Sequence, residues 1–197
     1  MDEALQTATT YESNARAYTE KYSRGSVADD FGDPFFDALS GDRVLDLGCG
    51  PGSDAAVFAD RGLDVVGVDV TASFLDAARR DVEDGHFARG DARRLPLADD
   101  TVAGVWACAS LHHVPPADLP AALAECRRVL RSDGTFFCSV KRGDGDGFEP
   151  DDDHADGDDR YFAYYDAGQF ERLLAHAGLA GDVDADGRWV SALAHPA

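Results

Sequence analysis

A glycine-rich turn, three aspartates and a pair of histidines are the residues of this sequence best placed to do chemistry. Gly48, Gly50 and Gly52 fall within Val44-Leu45-Asp46-Leu47-Gly48-Cys49-Gly50-Pro51-Gly52, and Asp69 closes the run Val65-Val66-Gly67-Val68-Asp69. Glycines in such a turn let the backbone take positive φ and approach a ligand with no Cβ in the way. A carboxylate about 20 residues further on can accept from both hydroxyls of a ribose. An apolar strand, a glycine turn opening a helix, a second strand and a terminal acid read as a nucleotide-type cofactor site at the carboxyl ends of a parallel sheet. Ser53 stands where the dinucleotide pattern Gly-x-Gly-x-x-Gly has its third glycine.

Downstream blocks narrow the reading. Gly90-Asp91-Ala92 precedes Leu95-Pro96-Leu97, the run from Val102 ends in Leu111-His112-His113-Val114-Pro115, and Val129-Leu130-Arg131-Ser132-Asp133-Gly134-Thr135 leads into another apolar stretch. With the glycine turn, these blocks resemble, in order, the motifs of class I S-adenosylmethionine (SAM)-dependent methyltransferases, with Asp133 in place of one usual glycine. The resemblance implies SAM as cofactor. It implies that Gly48, Cys49 and Gly50 offer backbone to the amino-acid and ribose end, and that Asp46 orders the turn or pairs with the cofactor amine. Asp69 would take the ribose hydroxyls and Val70 would pack on adenine. Asp91 would accept from the adenine amine with an Ala92 backbone donor beside it, and Cys108 or Ala109 would offer a carbonyl. A nicotinamide-dependent oxidoreductase and a cofactor-sensing module without turnover are the rival readings; Ser53 and the downstream blocks tell against the first.

The acceptor side is less specified. His112 and His113 follow the fourth strand, where either can take a proton from a hydroxyl or amine, since histidine titrates near neutral pH. Lys141, Arg142 and Arg160 can hold an anion, and Tyr161, Phe162, Tyr164 and Tyr165 can stack on a planar group. There is neither an Asn-Pro-Pro-Tyr motif for base methylation nor a catalytic cysteine pattern for pyrimidine carbon methylation, so a small-molecule acceptor is expected. Nothing in the sequence specifies an oligomeric state.

These residues need a scaffold. Strands near 44–47, 63–69, 86–89, 102–109 and 136–141 alternate with helices near 53–61, 72–83 and from Pro116 or Asp118 to 130, the last stopping at Asp133-Gly134. That alternation predicts a doubly wound α/β fold with a mostly parallel, seven-stranded Rossmann-like sheet. Segments 182–186 and 188–194, joined by Asp186-Gly187, read as a closing hairpin, which the resemblance places antiparallel at the C-terminal edge of the sheet. Residues 1–197 read as one domain with a helical cap over 1–40. In the cap, Thr9 and Glu12 have capping-box spacing, and Tyr11, Ala15, Tyr18 and Tyr22 share one face of a helix over 9–22. This stripe either packs on the domain or, as the resemblance implies, closes Tyr11 and Tyr18 over the cofactor. Residues 25–33 read as a loop, and 143–159 as a solvated acidic loop without calcium-ligand spacing.

Composition sets the context. The net charge is −20, from 38 acidic and 18 basic residues, and Lys21 and Lys141 are the two lysines. Such a surface suits molar salt, where the Debye length falls to about 3 Å and repulsion between carboxylates is screened. It disfavours an electrostatic grip on nucleic acid, which normally needs a basic face. No apolar run approaches the roughly 20 residues that cross a bilayer. The acidic start Met1-Asp2-Glu3-Ala4 is unlike a secretion signal, and Cys49, Cys108, Cys126 and Cys138 lack paired or metal-ligand spacing. A cytoplasmic, halophilic protein with reduced thiols and no metal is expected.

Overall fold

Apolar runs buried on both faces and separated by helical segments favour a parallel sheet with helices on either side. The computed structural model describes residues 2–150 and 159–197. In it β1 (Arg43–Leu47), β2 (Asp64–Asp69), β3 (His86–Arg89), β4 (Val102–Cys108) and β5 (Leu130–Lys141) lie parallel. An antiparallel pair follows, β6 (Asp146–Glu149) with β7 (Arg160–Ala163), and then the closing hairpin of β8 (Leu179–Asp186) and β9 (Trp189–Pro196). The main sheet has seven strands in the order β3-β2-β1-β4-β5-β9-β8, with β9 antiparallel to β5. Strand order reverses between β1 and β4, which opens a crevice at their carboxyl ends. The doubly wound sheet and the C-terminal hairpin are as the sequence predicts.

Alternation along the strands divides the core between two faces. Leu45, Val105 and Phe136 join one cluster, while their neighbours Val44, Trp106 and Phe137 join the other. Trp106 stacks on Phe137 at 3.9 Å between ring centroids, with Phe35 and Phe58 against its edges. Helices α1 (Glu3–Ser13), α2 (Ala15–Tyr22), α3 (Val27–Phe31) and α4 (Asp33–Ala38) precede the sheet. Then α5 (Ser53–Asp60), α6 (Ala72–Asp81), α7 (Leu119–Val129) and α8 (Ala167–His176) connect its strands.

Several local expectations need correcting. The cap helix starts at Glu3, because the Asp2 carboxylate accepts from the Leu5 amide. Thr9 lies inside α1 and turns its hydroxyl back to the Leu5 carbonyl, while Glu12 reaches across to Ser73. The helix also breaks at Asn14, whose φ of −120° is not helical. Residues 27–31 form α3 rather than loop, with the Ser26 hydroxyl accepting from the Asp29 amide. The helix before β5 ends at Val129, since buried Leu130 already pairs with Val102; the ladder shifts register before Thr135 meets Gly104. Within the expected acidic loop, Asp146–Glu149 is a strand, and residues 151–158 lie outside the described residues.

Candidate functional site

The crevice between β1 and β4 opens into a cavity of ≈ 580 Å³. Its first wall is backbone. After β1, Gly48 takes φ 75° and donates its amide to the Val68 carbonyl at 2.7 Å. A Cβ on Gly48 would lie 2.3 Å from the Ser110 Cβ, so here glycine is required by space as well as by φ. Ser110 donates to the Leu47 carbonyl at 2.8 Å, locking the turn after β4 against the turn after β1. The amide of Gly50 donates to Asp69 Oδ2 at 2.9 Å, and the Thr71 amide donates to Oδ1 at 2.7 Å. Each Asp69 oxygen is thus aimed by one amide and keeps a second lone pair. Burial pushes the Asp69 carboxyl up, against the pull of these amides.

Asp91 follows β3 and also lines the cavity. Arg93 grips it through Nε and Nη2 and bonds Asp2 and Asp118 through Nη1. Burial raises the Asp91 carboxyl, but Arg93 overrides this and holds it below the usual carboxylate range. The floor between the two halves comes from the end of β4. Ala109 sits at φ 51°, a strained value for a side chain with a Cβ, and its amide donates to Ser139 Oγ at 2.9 Å. Among the described residues His, Cys, Asp and Glu form no cluster able to hold a metal ion.

The second wall is built from side chains that arrive from distant segments. His113 Nδ1 lies 2.7 Å from the Tyr161 carbonyl, so that nitrogen carries the proton. Its Nε2 therefore accepts from the Tyr11 hydroxyl at 3.0 Å, and Arg160 Nη1 donates to the Tyr11 oxygen at 2.9 Å. Burial, with Arg160 and Lys141 nearby, brings His113 down to about 3. His112, 2 % exposed, is held neutral by burial and by the same neighbours. Lys141 Nζ stands 3.4 Å from the centroid of the Phe162 ring. The cap is pinned to both walls: the Tyr161 amide donates to the Thr7 hydroxyl at 2.9 Å, and the Ser73 amide, on α6 beyond Asp69, donates to Glu12 at 3.2 Å.

With this geometry in place, known proteins can be compared. Residues 44–134 match the family model described as "Methyltransferase domain". A demethylmenaquinone methyltransferase of Beutenbergia cavernae is 41% identical over 97 residues, 49% of this chain and 40% of that protein. A malonyl-[acyl-carrier protein] O-methyltransferase of Serratia marcescens is 38% identical over 101 residues, 51% of this chain and 38% of that protein. The chain thus spans well under half the length of these curated relatives. A crystal structure of Burkholderia thailandensis 1,6-didemethyltoxoflavin-N1-methyltransferase, with S-adenosylhomocysteine bound, superposes with a TM-score of 0.75. That superposition covers 100% of this chain and 91% of the other at 21% identity, a likeness of fold. Residues 44–134 are thus similar to a methyltransferase domain, and the whole chain shares the fold of that structure.

Within the domain, the anticipated residues fall into two groups. Tyr11, Gly48, Cys49, Gly50, Asp69, Val70, Asp91, Ala92, Cys108, His112 and His113 all line the one cavity. Tyr18 and Asp46 do not. Tyr18 is fully buried behind Tyr11, its ring 4.8 Å from that of Tyr11, so it supports the cap rather than facing the cavity. Asp46 is buried behind the turn, where burial and the neighbouring Asp54 and Asp69 push its carboxyl well up. Sequence reasoning passed over Asp54, which lines the cavity and accepts from Ser26, the Ala28 amide and Trp106 Nε1. An acid in the first turn of the helix behind a glycine loop was the available signal.

Proposed function

We propose that this protein transfers the methyl group of SAM to a small-molecule acceptor. The observation that carries the reading is Asp69, whose two oxygens are aimed by the Gly50 and Thr71 amides across the glycine turn. That is a preorganised acceptor pair for a ribose diol. We assign Asp91, one strand further out, to the adenine amine; Val70 would pack on the ring, and Cys108 or Ala109 would offer a carbonyl to the amino-acid end. The methyltransferase relatives and the S-adenosylhomocysteine in the Burkholderia thailandensis enzyme support the same cofactor.

SAM supplies an activated methyl carbon on a positive sulfur. The nucleophile donates an electron pair to that carbon as the carbon–sulfur bond breaks, releasing neutral S-adenosylhomocysteine. An acceptor that carries a proton on the attacking atom also loses it. The protein's share is alignment, which can supply several kcal/mol of the barrier. The geometry gives His112 and His113 little basicity, so we assign them to shaping the acceptor side. His113 orients the Tyr11 hydroxyl by accepting from it.

Calorimetric titration of SAM, S-adenosylhomocysteine and NAD in about 2 M potassium chloride tests the proposal under screened conditions. Micromolar binding of both sulfur ligands and none of NAD is expected; NAD binding without them would reverse the assignment.

We further propose that residues 1–197 act as one unit in the cytoplasm of a cell rich in salt. Composition supports this through the net charge of −20. No helix among the described residues is long and apolar enough to cross a membrane. Circular dichroism should show loss of structure below several hundred millimolar potassium chloride, roughly where screening of surface carboxylates fades. Full structure in dilute buffer would contradict the halophilic reading.

A further inference from the structure

The sequence offers Asp46 as a partner for the cofactor amine, and the fold withdraws it. Its side chain is buried behind the glycine turn, does not line the cavity, and leaves Oδ2 without a hydrogen-bond partner. Burial beside Asp54 and Asp69 pushes its carboxyl well up, which makes it a poor countercharge for an ammonium. Among the described residues, the carboxylates that line the cavity are Asp54, Asp69 and Asp91. Asp69 is aimed by the Gly50 and Thr71 amides as a diol acceptor. Asp91 is gripped by Arg93, whose charge compensates its own. Asp54 is left.

Its setting suits the amino-acid end of the cofactor. Asp54 stands in the first turn of α5, directly behind the glycine turn. Oδ1 accepts from the Ser26 hydroxyl at 2.6 Å and from the Ala28 amide at 3.1 Å, and Oδ2 accepts from Trp106 Nε1 at 2.8 Å. A hydroxyl, an amide and an indole fix the direction of the carboxylate without cancelling its charge. A carboxylate offers about four acceptor sites, so Oδ2 keeps one. Trp106 and Cys108 are two residues apart on β4 and share a face of the sheet, in the same apolar cluster. Asp54 is thereby tied to the end of β4, where Cys108 or Ala109 would offer its carbonyl. Ser53 donates to the Tyr22 carbonyl at 2.8 Å, and Tyr22, Gly25 and Val27 join Asp54 in the lining, so the segment between α2 and α3 borders the same end.

We propose that Asp54, rather than Asp46, receives the ammonium of the cofactor's amino-acid end. This rests on the methyltransferase reading above. An ammonium carries three donors, enough for Asp54 and for the carbonyl of Cys108 or Ala109 together. Asp46 is then a buried support of the turn. Because Ser26 and Ala28 share the Asp54 carboxylate, its loss also loosens the start of α3, and a simple fall in affinity would not separate the two roles. A comparison of two ligands within each variant does.

The test titrates S-adenosylhomocysteine and its desamino analogue, in which hydrogen replaces the amine, into the protein in about 2 M potassium chloride. Partly buried ion pairs are screened less than surface ones, so the preference should survive that salt. The parent protein should bind S-adenosylhomocysteine at least about tenfold tighter than the analogue, as a charge-assisted pair predicts. In Asp54→Asn, and in Asp54→Ala where the asparagine is not tolerated beside Trp106, that ratio should fall towards one. A merely structural role would weaken both ligands alike and leave the ratio intact. Asp46→Asn should keep the ratio, and it decides the matter where neither Asp54 variant folds. Equal binding by the parent, a ratio that survives in the Asp54 variants, or a ratio that collapses in Asp46→Asn overturns the proposal. A loss confined to SAM, whose sulfur is positive, would place the carboxylate at the sulfur and overturns it too. Binding of none of these ligands by the parent overturns the methyltransferase reading instead.

Discussion

The two walls of the cavity are made in opposite ways. The Asp69 wall is backbone fixed by neighbours in sequence: Gly50 and Asp69 are 19 residues apart and Asp69 and Thr71 only two. The His113 wall is side chains fixed by strangers, with Tyr11 bonded across 102 residues to His113 and across 149 to Arg160. A wall of amides cannot be varied without breaking the turn, whereas a wall of side chains can be changed one residue at a time. That division suits a fold that keeps a cofactor and exchanges acceptors.

Breaking the first wall should have the largest effect. Asp69→Ala removes the proposed diol acceptor and leaves the Gly50 and Thr71 amides without their carboxylate. Hydrogen bonds to a charged group are each worth about 1.5–3 kcal/mol, so S-adenosylhomocysteine should bind at least about a hundredfold more weakly by calorimetry. A change under threefold would move the cofactor elsewhere. Gly48→Ala attacks the same wall through space, since its new Cβ would lie 2.3 Å from Ser110 Cβ at a φ of 75°. We expect a loss of about 1–3 kcal/mol in stability from urea denaturation, partly restored in the double variant with Ser110→Gly.

The same contrast explains what could be read from the sequence. Strand, glycine turn, strand and acid form a local pattern, and the apolar runs that flank it leave few alternatives to a parallel sheet. Legibility ended where a partner lay far along the chain. Tyr11 and Tyr18 share a helical face by spacing, yet the helix breaks at Asn14 and Tyr18 is buried behind Tyr11, so of the two Tyr11 lines the cavity. Asp54 is by position an ordinary first-turn acid, and only the folding of α3 and Trp106 against it gives it partners. Thr9 and Glu12 have the spacing of a capping box, but Asp2 caps the helix earlier and Ser73 claims Glu12. Local rules propose such contacts, and tertiary competition selects among them.

Tyr11→Phe sharpens the comparison at smaller magnitude. It deletes one hydroxyl that His113 and Arg160 share and leaves the cofactor wall intact. Turnover of an identified acceptor should fall about tenfold, the size of one lost hydrogen bond to a charged partner, with S-adenosylhomocysteine affinity unaltered. An equal loss in cofactor affinity would mean that the two walls are not separable.

The two walls should also pull stability in opposite directions with pH. Asp46 and Asp69 are raised by burial, so the native state holds their protons more tightly than the unfolded chain does. Their contribution is complete below the ordinary aspartate value of about 3.9 and is lost as pH rises through the raised native values. His113, lowered to about 3 chiefly by burial, behaves in reverse. Its contribution is complete above about 6.5 and drains away as pH falls towards 3, because only the unfolded chain takes up the proton. His112 is lowered as well and adds to the same acid-side loss. Thermal unfolding followed from pH 4 to 8 at constant high salt separates the walls. His113→Phe should flatten the acid side of the profile, and Asp46→Asn should lift the profile at neutral pH while leaving the acid side alone. Should both substitutions alter the same side, the walls would share one electrostatic environment, and the division between a fixed cofactor end and an adjustable acceptor end would be wrong.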